Sequence, residues 1–327
     1  MKPEARQTSV RELAVRILAD WSKGRKFAQD LLDETCRTRG LAPSDAGLLH
    51  FVVLAALRNL TLLDHWTDQL TGCRHLDHHT RWILRIGLVQ LLMLELPPHA
   101  AVNETVELAG KARSLVNAVL RRADRERETL LHQRESLPLA TRTSHPGFLI
   151  QRWTEAFGEG GAVRLCEWNQ TPAPAFIRVN LLHPDAPAGA AREQGLVDVG
   201  HGFHRCETLP RAALEQGLCY AQDPSTGIAP LMLGAQPGET ILDVCAAPGG
   251  KTSLIATMMR NEGRLIAADS AAPRLARLRA NLDRLLVKNA QVFHHDLASD
   301  APAPWGGVRF DRILLDVPCS NTGVMRR

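Results

Sequence analysis

The last third of the chain alternates short apolar runs with glycine turns and helical patterns, and this alternation limits the fold more than any other feature. The apolar runs that read as strands are ETILDVC (239–245), GRLIAAD (263–269), AQVFHHD (290–296) and FDRILLD (310–316). Between them, KTSLIATMM (251–259) and APRLARLRANLDRLL (272–286) read as helices. Strands that alternate with helices form a parallel sheet, so the sequence predicts a doubly wound, Rossmann-like α/β domain.

The first part of the chain has a different pattern. From Ser9 to about Ala123 the apolar residues recur at the spacing of a helix, which predicts an all-α bundle. The pattern weakens between 124 and 170, and PAFIRVNLL (174–182) then reads as a strand, so a small α+β linker region is expected next. These changes divide the chain into three parts, 1–125, 126–220 and 221–327.

Composition excludes several classes of protein. The 327 residues include 39 basic and 35 acidic side chains, and the whole basic excess lies in the first 150 residues, which permits an RNA partner without requiring one. The apolar stretches are shorter than a bilayer span, and charges stand where a secretory signal needs apolar residues, so a cytoplasmic protein without membrane contact is expected. Seven cysteines without a C-x-x-C pair predict neither disulfides nor zinc, and the histidines of HLDHH (75–79) are interpreted as surface residues rather than metal ligands.

The segment CAAPGGKTS, residues 245–253, matches a phosphate-binding loop only at its end. Gly250, Lys251 and Thr252 are the final residues of such a loop. Cys245, however, occupies the position of the first glycine, where the backbone must wrap the phosphates. A P-loop NTPase, with ILLD (313–316) as its Walker B strand, is therefore the less favoured alternative.

Aspartates at the ends of the predicted strands favour a nucleoside ligand instead. One closes each strand: Asp243, Asp269, Asp296 and Asp316. Ligands of an open α/β sheet lie beyond the carboxyl ends of its strands, where Asp269 can accept the ribose hydroxyls and Asp296 an adenine amino group. The glycine pair at 249–250 lets backbone N–H groups come close to a ligand, and the helix behind it directs its positive end at a carboxylate. An adenosine that carries an amino-acid carboxylate describes S-adenosylmethionine.

Segments around these aspartates resemble the RNA 5-methylcytosine methyltransferases of the Sun/RsmB type. The residues that carry the resemblance are LDVCAAPGGKT (242–252), AADS (267–270) and LLDVPCSNTGVMRR (314–327). Upstream, YAQDPST (220–226) is similar to the segment of the family that closes over the cofactor, and FIRVN (176–180) is similar to its RNA-binding region.

The helical part adds to this resemblance. LRIGLVQLLMLELPPHAAVNETVELA (84–109) and SLVNAVLRR (114–122) are similar to the antitermination factor NusB, which part of the family carries at its N-terminus. The resemblance thus covers nearly the whole chain. It implies an enzyme that transfers a methyl group from S-adenosylmethionine to C5 of cytosine in small-subunit ribosomal RNA, with a NusB-like RNA-binding domain. A monomer is expected.

The resemblance also implies roles for individual residues. Cys319, in the pair Pro318-Cys319, is implied to release the methylated product, and Asp316 to lie beside the sulfonium and the edge of the base. A thiolate must first add to C6 so that C5 becomes nucleophilic, and the family takes that thiolate from a later Thr-Cys element. The residues implied to bind the cofactor are Cys245, Ala246, Ala247, Pro248, Gly249, Gly250, Lys251, Asp269, Asp296 and Asp316, with Arg274 close to it.

The sequence departs from the family after the Pro-Cys pair. No Thr-Cys element follows it, and four strands are present where the family's sheet has seven. We therefore expect part of an enzyme, inactive as it stands, with FDRILLD left as an apolar edge of the sheet. Two alternatives stay open: a catalytically dead RNA-binding module, and an enzyme in which Cys319 is itself the nucleophile, as the Pro-Cys cysteine is in DNA cytosine methyltransferases.

Overall fold

The computed structural model describes residues 8–94, 96–171, 173–186 and 195–317. The chain forms two compact units, one that extends to residue 172 and one that begins at residue 173. The described part of the first unit is helical, whereas the second unit combines two sheets with helices.

The first unit consists of helices joined by short turns. Ser9 and Asp77 begin the first and fifth helices, since each side chain accepts a backbone N–H of the first turn. Gly40 and Gly72 end the second and fourth helices in the left-handed conformation. The helices are α1 (Val10–Trp21), α2 (Ala28–Arg39), α3 (Pro43–Arg58), α4 (Leu60–Thr71), α5 (His78–Leu88, continued by a π-helical turn over Val89–Met93), α6 (Pro98–Val106), α7 (Arg113–Arg125), α8 (Arg127–Arg134), α9 (Leu139–Arg142) and α10 (Gly147–Gln170).

One apolar core holds these helices together. It includes the buried indoles of Trp66 and Trp82 and extends as far as Leu130 on α8. Gly87 on α5 lets α7 approach closely, because a Cβ atom there would lie 2.6 Å from the Cδ2 atom of Leu120. The predicted all-α bundle is confirmed, and its inward apolar faces account for the helical spacing in the sequence.

Residues 127–170, where the sequence pattern weakens, form α8, α9 and α10 and belong to the first unit. α10 is kinked at Gly158, whose φ of 72° is not helical. Within the described residues no single helix is long and apolar enough to cross a membrane; α3 and α4 reach that length only together, across a 78° bend.

The histidines of HLDHH lie on the surface, as interpreted from the sequence. His75, His78 and His79 are exposed, and Asp77 between them caps α5. The part of the chain that the structure describes contains no group of three or more His, Cys, Asp and Glu side chains placed to hold a metal ion.

The second unit begins with an antiparallel sheet. Its described strands lie in the order β2-β3-β1-β4 and are β1 (Ala175–Val179), β2 (Val197–Gly200), β3 (Phe203–Cys206) and β4 (Cys219–Ala221). α11 (Arg211–Glu215) covers one face, where Ala213 packs with Ile177, Cys206 and Cys219. β1 is the strand predicted from PAFIRVNLL.

The parallel sheet of the second unit matches the prediction from sequence. Its described strands lie in the order β7-β6-β5-β8 and are β5 (Thr240–Val244), β6 (Arg264–Asp269), β7 (Ala290–His294) and β8 (Arg312–Leu315). The helices are α12 (Ile228–Leu233), α13 (Gly250–Met258) and α14 (Ala272–Arg284). Matched registers between β5 and β6 bring the ends of both strands, and the turns that follow them, to the same edge of the sheet.

β8 is the outer strand on one side of the described sheet. It pairs with β5 from Arg312 to Leu315. Ile313, Leu315 and Val317 are 55%, 60% and 56% exposed. The expectation that FDRILLD forms an apolar edge is therefore confirmed within the described residues.

Candidate active site

The loop between β5 and α13 is folded tightly onto the end of β6. The backbone N–H of Ala246 donates to the carbonyl oxygen of Ala268 at 2.9 Å, and that of Gly249 donates to the carbonyl of Ala246 at 2.8 Å. Cys245 and Gly249 have φ angles of 59° and 105°, and the Ala247–Pro248 peptide bond is cis. The loop therefore leads sharply into α13, whose first N–H groups have no partner within the helix and face the carboxyl end of the sheet.

Backbone conformation and close contacts inside the protein favour glycine at both positions of the loop. A Cβ atom on Gly249 would lie 2.9 Å from the Cδ1 atom of Leu278, and the positive φ there disfavours other residues as well. A Cβ atom on Gly250 would lie 2.9 Å from the Cε1 atom of Tyr220. From the sequence we interpreted the pair as making room for a ligand; the structure adds that α14 and β4 press against the loop at these two positions.

Asp269 lies beneath the loop and is almost completely buried. Its Oδ1 atom accepts the backbone N–H of Ala271 at 3.0 Å and pairs with the Arg274 guanidinium at 3.0 Å. Its Oδ2 atom accepts the backbone N–H of Ala247 at 3.2 Å, which leaves that oxygen with capacity for a further donor. The carboxylate thus ties the loop to β6 and can still accept a hydroxyl.

Asp316 lies on the opposite side of β5 from Asp269, since β8 and β6 flank that strand. The ammonium group of Lys251, in the first turn of α13, donates to its Oδ2 atom. Asp316 is half exposed. The loop is consequently bordered by one buried and one accessible carboxylate.

Asp243, near the end of β5, is as deeply buried as Asp269, at 1% exposure. The Thr252 hydroxyl donates to its Oδ2 atom at 2.6 Å. Burial raises the pKa of Asp243 to about 7, the Thr252 hydrogen bond and Lys251 oppose the rise, and the charges of Asp316 and Asp269 add to it. The carboxyl group therefore ties the end of β5 to the first turn of α13.

The remaining predicted site residues are less closely associated. Asp296 is exposed beyond β7, where its carboxylate accepts the backbone N–H of Ala298 at 2.9 Å. Cys245 is partly buried, and burial raises the pKa of its thiol. Pro318 and Cys319 lie outside the described residues. The structure therefore brings together the loop, Asp243, Asp269 and Asp316, and leaves Asp296 on the neighbouring strand end.

Arg178 on β1 was missed by the sequence reasoning. It is 2% exposed. Its Nε atom donates to the side-chain oxygen of Gln222 at 2.8 Å, and one terminal nitrogen donates to the Ser253 hydroxyl at 2.6 Å and to the Gly250 carbonyl at 3.5 Å. An arginine within an otherwise apolar strand was the available signal, because β1 is buried on both faces and an apolar run of that kind leaves no exposed position for a charge.

The segment FIRVN, which by resemblance belongs to an RNA-binding region, turns its polar residues inward. Asn180 is buried and donates to the carbonyl oxygens of Gly217 at 2.9 Å and Leu285 at 3.0 Å. With Arg178, it fastens the antiparallel sheet to α13 and α14. Neither side chain is available to RNA in this arrangement, so any RNA contact of the region comes from other residues.

A parallel sheet with a glycine loop and acidic strand ends, built in this order, is the fold of a Rossmann-like methyltransferase domain. The family model of the 16S rRNA methyltransferases RsmB/F matches residues 230–327, that of the NusB family matches residues 8–125, and that of the ferredoxin-like domain of RsmF/B-like methyltransferases matches residues 145–212.

Curated relatives extend this similarity over most of the chain. It is 38% identical to ribosomal RNA small subunit methyltransferase B of Vibrio cholerae over 307 residues, which covers 88% of this chain and 69% of the relative. It is 37% identical to the protein of the same name from Pseudomonas putida, over 86% of this chain and 68% of the relative. The chain belongs to the RsmB/F family of 16S rRNA methyltransferases, and the resemblance noted in the sequence is confirmed.

A solved structure, the crystal structure of PH0851, supports the same fold. It aligns with a TM-score of 0.69 at 21% sequence identity, and the alignment covers 100% of this chain and 77% of the chain in that structure.

Proposed function

We propose that this protein serves the S-adenosylmethionine-dependent methylation of C5 of cytosine in small-subunit ribosomal RNA, and that residues 1–327 alone do not complete the reaction. The observation that carries the proposal is the arrangement around the 245–251 loop, where a buried carboxylate with one available oxygen, an accessible carboxylate and the first turn of a helix converge. Membership in the RsmB/F family supports the substrate class.

The residues present fit this cofactor by their chemistry. Ribose hydroxyls are donors, and the Oδ2 atom of Asp269 has capacity for one. A carboxylate suits the N-terminal turn of α13, where the N–H groups of Gly250 and Lys251 lack helical partners. A sulfonium or ammonium cation suits Asp316, which is accessible once Lys251 shares or releases it. When bound, the cofactor supplies a methyl group on a positively charged sulfur.

The methyl acceptor sets the requirements for the catalytic residues. Cytosine C5 is a poor nucleophile until a thiolate adds to C6; after methyl transfer the C5 proton must leave and the C6–S bond must break. We propose that Cys319 assists this release and that Asp316 orients the base edge. The thiolate that adds to C6 would come from a second cysteine, which the residues after Cys319 do not contain. The Pro318-Cys319 motif in the sequence supports the role of Cys319.

We further propose the division of labour that the sequence suggested. Residues 1–125 act as an RNA-binding domain, residues 126–220 as a linker and pre-catalytic region, and residues 221–327 as the methyltransferase domain, with Asp296 reading the adenine amino group. The matches to the NusB and RsmB/F models support this division.

Labelled S-adenosylmethionine and unmodified small-subunit RNA test the proposal, with the product nucleoside identified by mass spectrometry. 5-Methylcytidine is expected from an enzyme that carries these residues, and a methyl group on any other nucleoside atom contradicts the C5 assignment. In the same enzyme, Cys319→Ser separates the two roles of that thiol. A covalent RNA adduct that persists in the variant supports release, whereas loss of both transfer and adduct makes Cys319 the nucleophile.

A further inference from the structure

Arg178 is a buried positive charge beside the first turn of α13. Every polar contact of its guanidinium is with a neutral acceptor: the Gln222 amide, the Ser253 hydroxyl and the Gly250 carbonyl. Among the described residues no carboxylate lies within ion-pair distance of it. The nearby phenol of Tyr220 is half-buried, and burial raises its pKa, so it is neutral at neutral pH. Buried charges are usually paired, so an unpaired arginine is uncommon.

The guanidinium nevertheless remains charged at neutral pH. Burial lowers the pKa of Arg178 to about 10, which is still well above 7. The positive end of the α13 dipole lies in the same place. The carboxylates near that turn are bound to other residues, Asp316 to Lys251 and Asp243 to Thr252, and neither pairs with Arg178. An arrangement of this kind is unfavourable in the free protein and becomes favourable when an anion binds.

The neighbouring Asn180 shows that attachment of the strand does not require a charge. Asn180 lies two residues further along the chain, and its neutral amide bridges the carbonyl oxygens of Gly217 and Leu285. A neutral side chain could link β1 to Gln222 and Ser253 in the same way. Attachment of the antiparallel sheet to the α/β fold therefore does not by itself account for the charge of Arg178.

We infer that Arg178 is a positioning residue for the carboxylate of the bound cofactor: it holds the first turn of α13 through Ser253 and Gly250 and supplies buried positive potential to the anion at that turn. The inference rests on the proposed S-adenosylmethionine site. It assigns to β1, in the antiparallel sheet, a part in cofactor affinity that is separate from the loop and from Asp269.

Calorimetry on the 327-residue chain with two ligands tests the inferred role of Arg178. S-Adenosylhomocysteine carries the carboxylate, and its decarboxylated analogue keeps the adenosine, thioether and amine but lacks that group. Arg178→Met removes the charge and keeps much of the length of the side chain. It is expected to weaken the binding of S-adenosylhomocysteine about tenfold or more and the binding of the analogue less than about twofold. Arg178→Lys keeps the charge and is expected to retain the preference for the carboxylate ligand. Arg205→Met on β3 is the matched control, since Arg205 is exposed on the adjacent strand.

Each outcome decides the matter. Equal weakening of both ligands in Arg178→Met makes the residue a structural support only and overturns the inference, as does unchanged affinity for both. If Arg178→Met does not fold, loss of the carboxylate preference in Arg178→Lys overturns it. Failure of the unsubstituted chain to bind S-adenosylhomocysteine refutes the proposed cofactor site itself, a result that the ligand comparison distinguishes from failure of the inference about Arg178.

Discussion

Replacement of Asp243 by Asn is expected to remove a pH dependence of stability that this buried carboxyl group imposes. Burial raises the pKa of Asp243 from its ordinary 3.8 to about 7. Between about pH 4 and pH 7 the folded chain therefore keeps a proton on this group that the unfolded chain has released, so the stability contributed by Asp243 falls as the pH rises through that window. Asn has the shape of the protonated form and can still accept the hydroxyl of Thr252.

The magnitude follows from the interval between the two pKa values. From 3.8 to about 7, at about 1.4 kcal/mol for each pH unit, it amounts to as much as about 4 kcal/mol. Roughly 3 kcal/mol of this falls between pH 5 and pH 8. Asp243→Asn should therefore gain stability relative to the parent chain as the pH is raised, and the gain should level off above about pH 8.

Urea unfolding at about pH 5 and about pH 8 measures the free energy of unfolding of both chains. Asp300→Asn, a change at an exposed carboxylate beyond β7, is the matched control and should track the parent at both pH values. A difference between parent and Asp243→Asn that is the same at both pH values would refute the reasoning, because it would mean that Asp243 ionises in the folded chain as it does in the unfolded one.

Three further changes test other parts of the structure. Asp269→Ala should weaken the binding of S-adenosylhomocysteine by about 1.5 to 3 kcal/mol in calorimetry, and unchanged affinity would contradict the proposed contact of Asp269 with the ribose. Gly217→Ala should lower the free energy of urea unfolding by about 3 kcal/mol or more, since its Cβ would lie 2.0 Å from a backbone carbonyl oxygen. Gly238→Ala, also at positive φ but with open space around it, should lower it by only about 1 kcal/mol. Equal losses in the two variants would contradict the role of the clash. Residues 1–125 should show cooperative helical melting by circular dichroism, and a gradual melt would mean that the bundle depends on the rest of the chain.

The parallel sheet could be predicted from sequence because its strands are buried on both faces. β5 and β6 read as continuous apolar runs that stop at Asp or at a turn, and the structure places both where the runs are. The hairpin of β2 and β3 could not be found in this way. Each strand has four residues, and β2 is exposed along most of its length, so neither carries a usable period.

α10 escaped prediction for a different reason. Its sequence contains Gly158, Gly160 and Gly161, which lower helix propensity and break the apolar period, yet the helix forms on both sides of a kink at Gly158. Tertiary contacts of its buried Leu149, Ala162 and Cys166 outweigh that local preference.

The site was predictable where its residues follow strands and unpredictable where they come from another sheet. Asp269 and the loop share one edge because topology puts strand ends together, which sequence order reveals. Arg178 joins them from β1, some seventy residues upstream of Ser253, and no local pattern connects the two positions. Its burial beside α13 depends on tertiary contacts, whereas the sequence shows only an arginine in an apolar strand.

The hydrogen bonds of Arg178 and Asn180 to the α/β fold limit how segments of such enzymes can be exchanged to make chimeras. An exchange of the segment that contains β1 for a different RNA-recognition module would leave the Ser253 hydroxyl and the Gly217 and Leu285 carbonyl oxygens without their donors. Buried acceptors that lose a donor each cost about 1–3 kcal/mol, so an unadapted chimera starts with a deficit comparable to much of a domain's stability. A workable crossover point therefore lies before β1, at the division near residue 172, and a graft inside the second unit must bring its own arginine and asparagine in the same register.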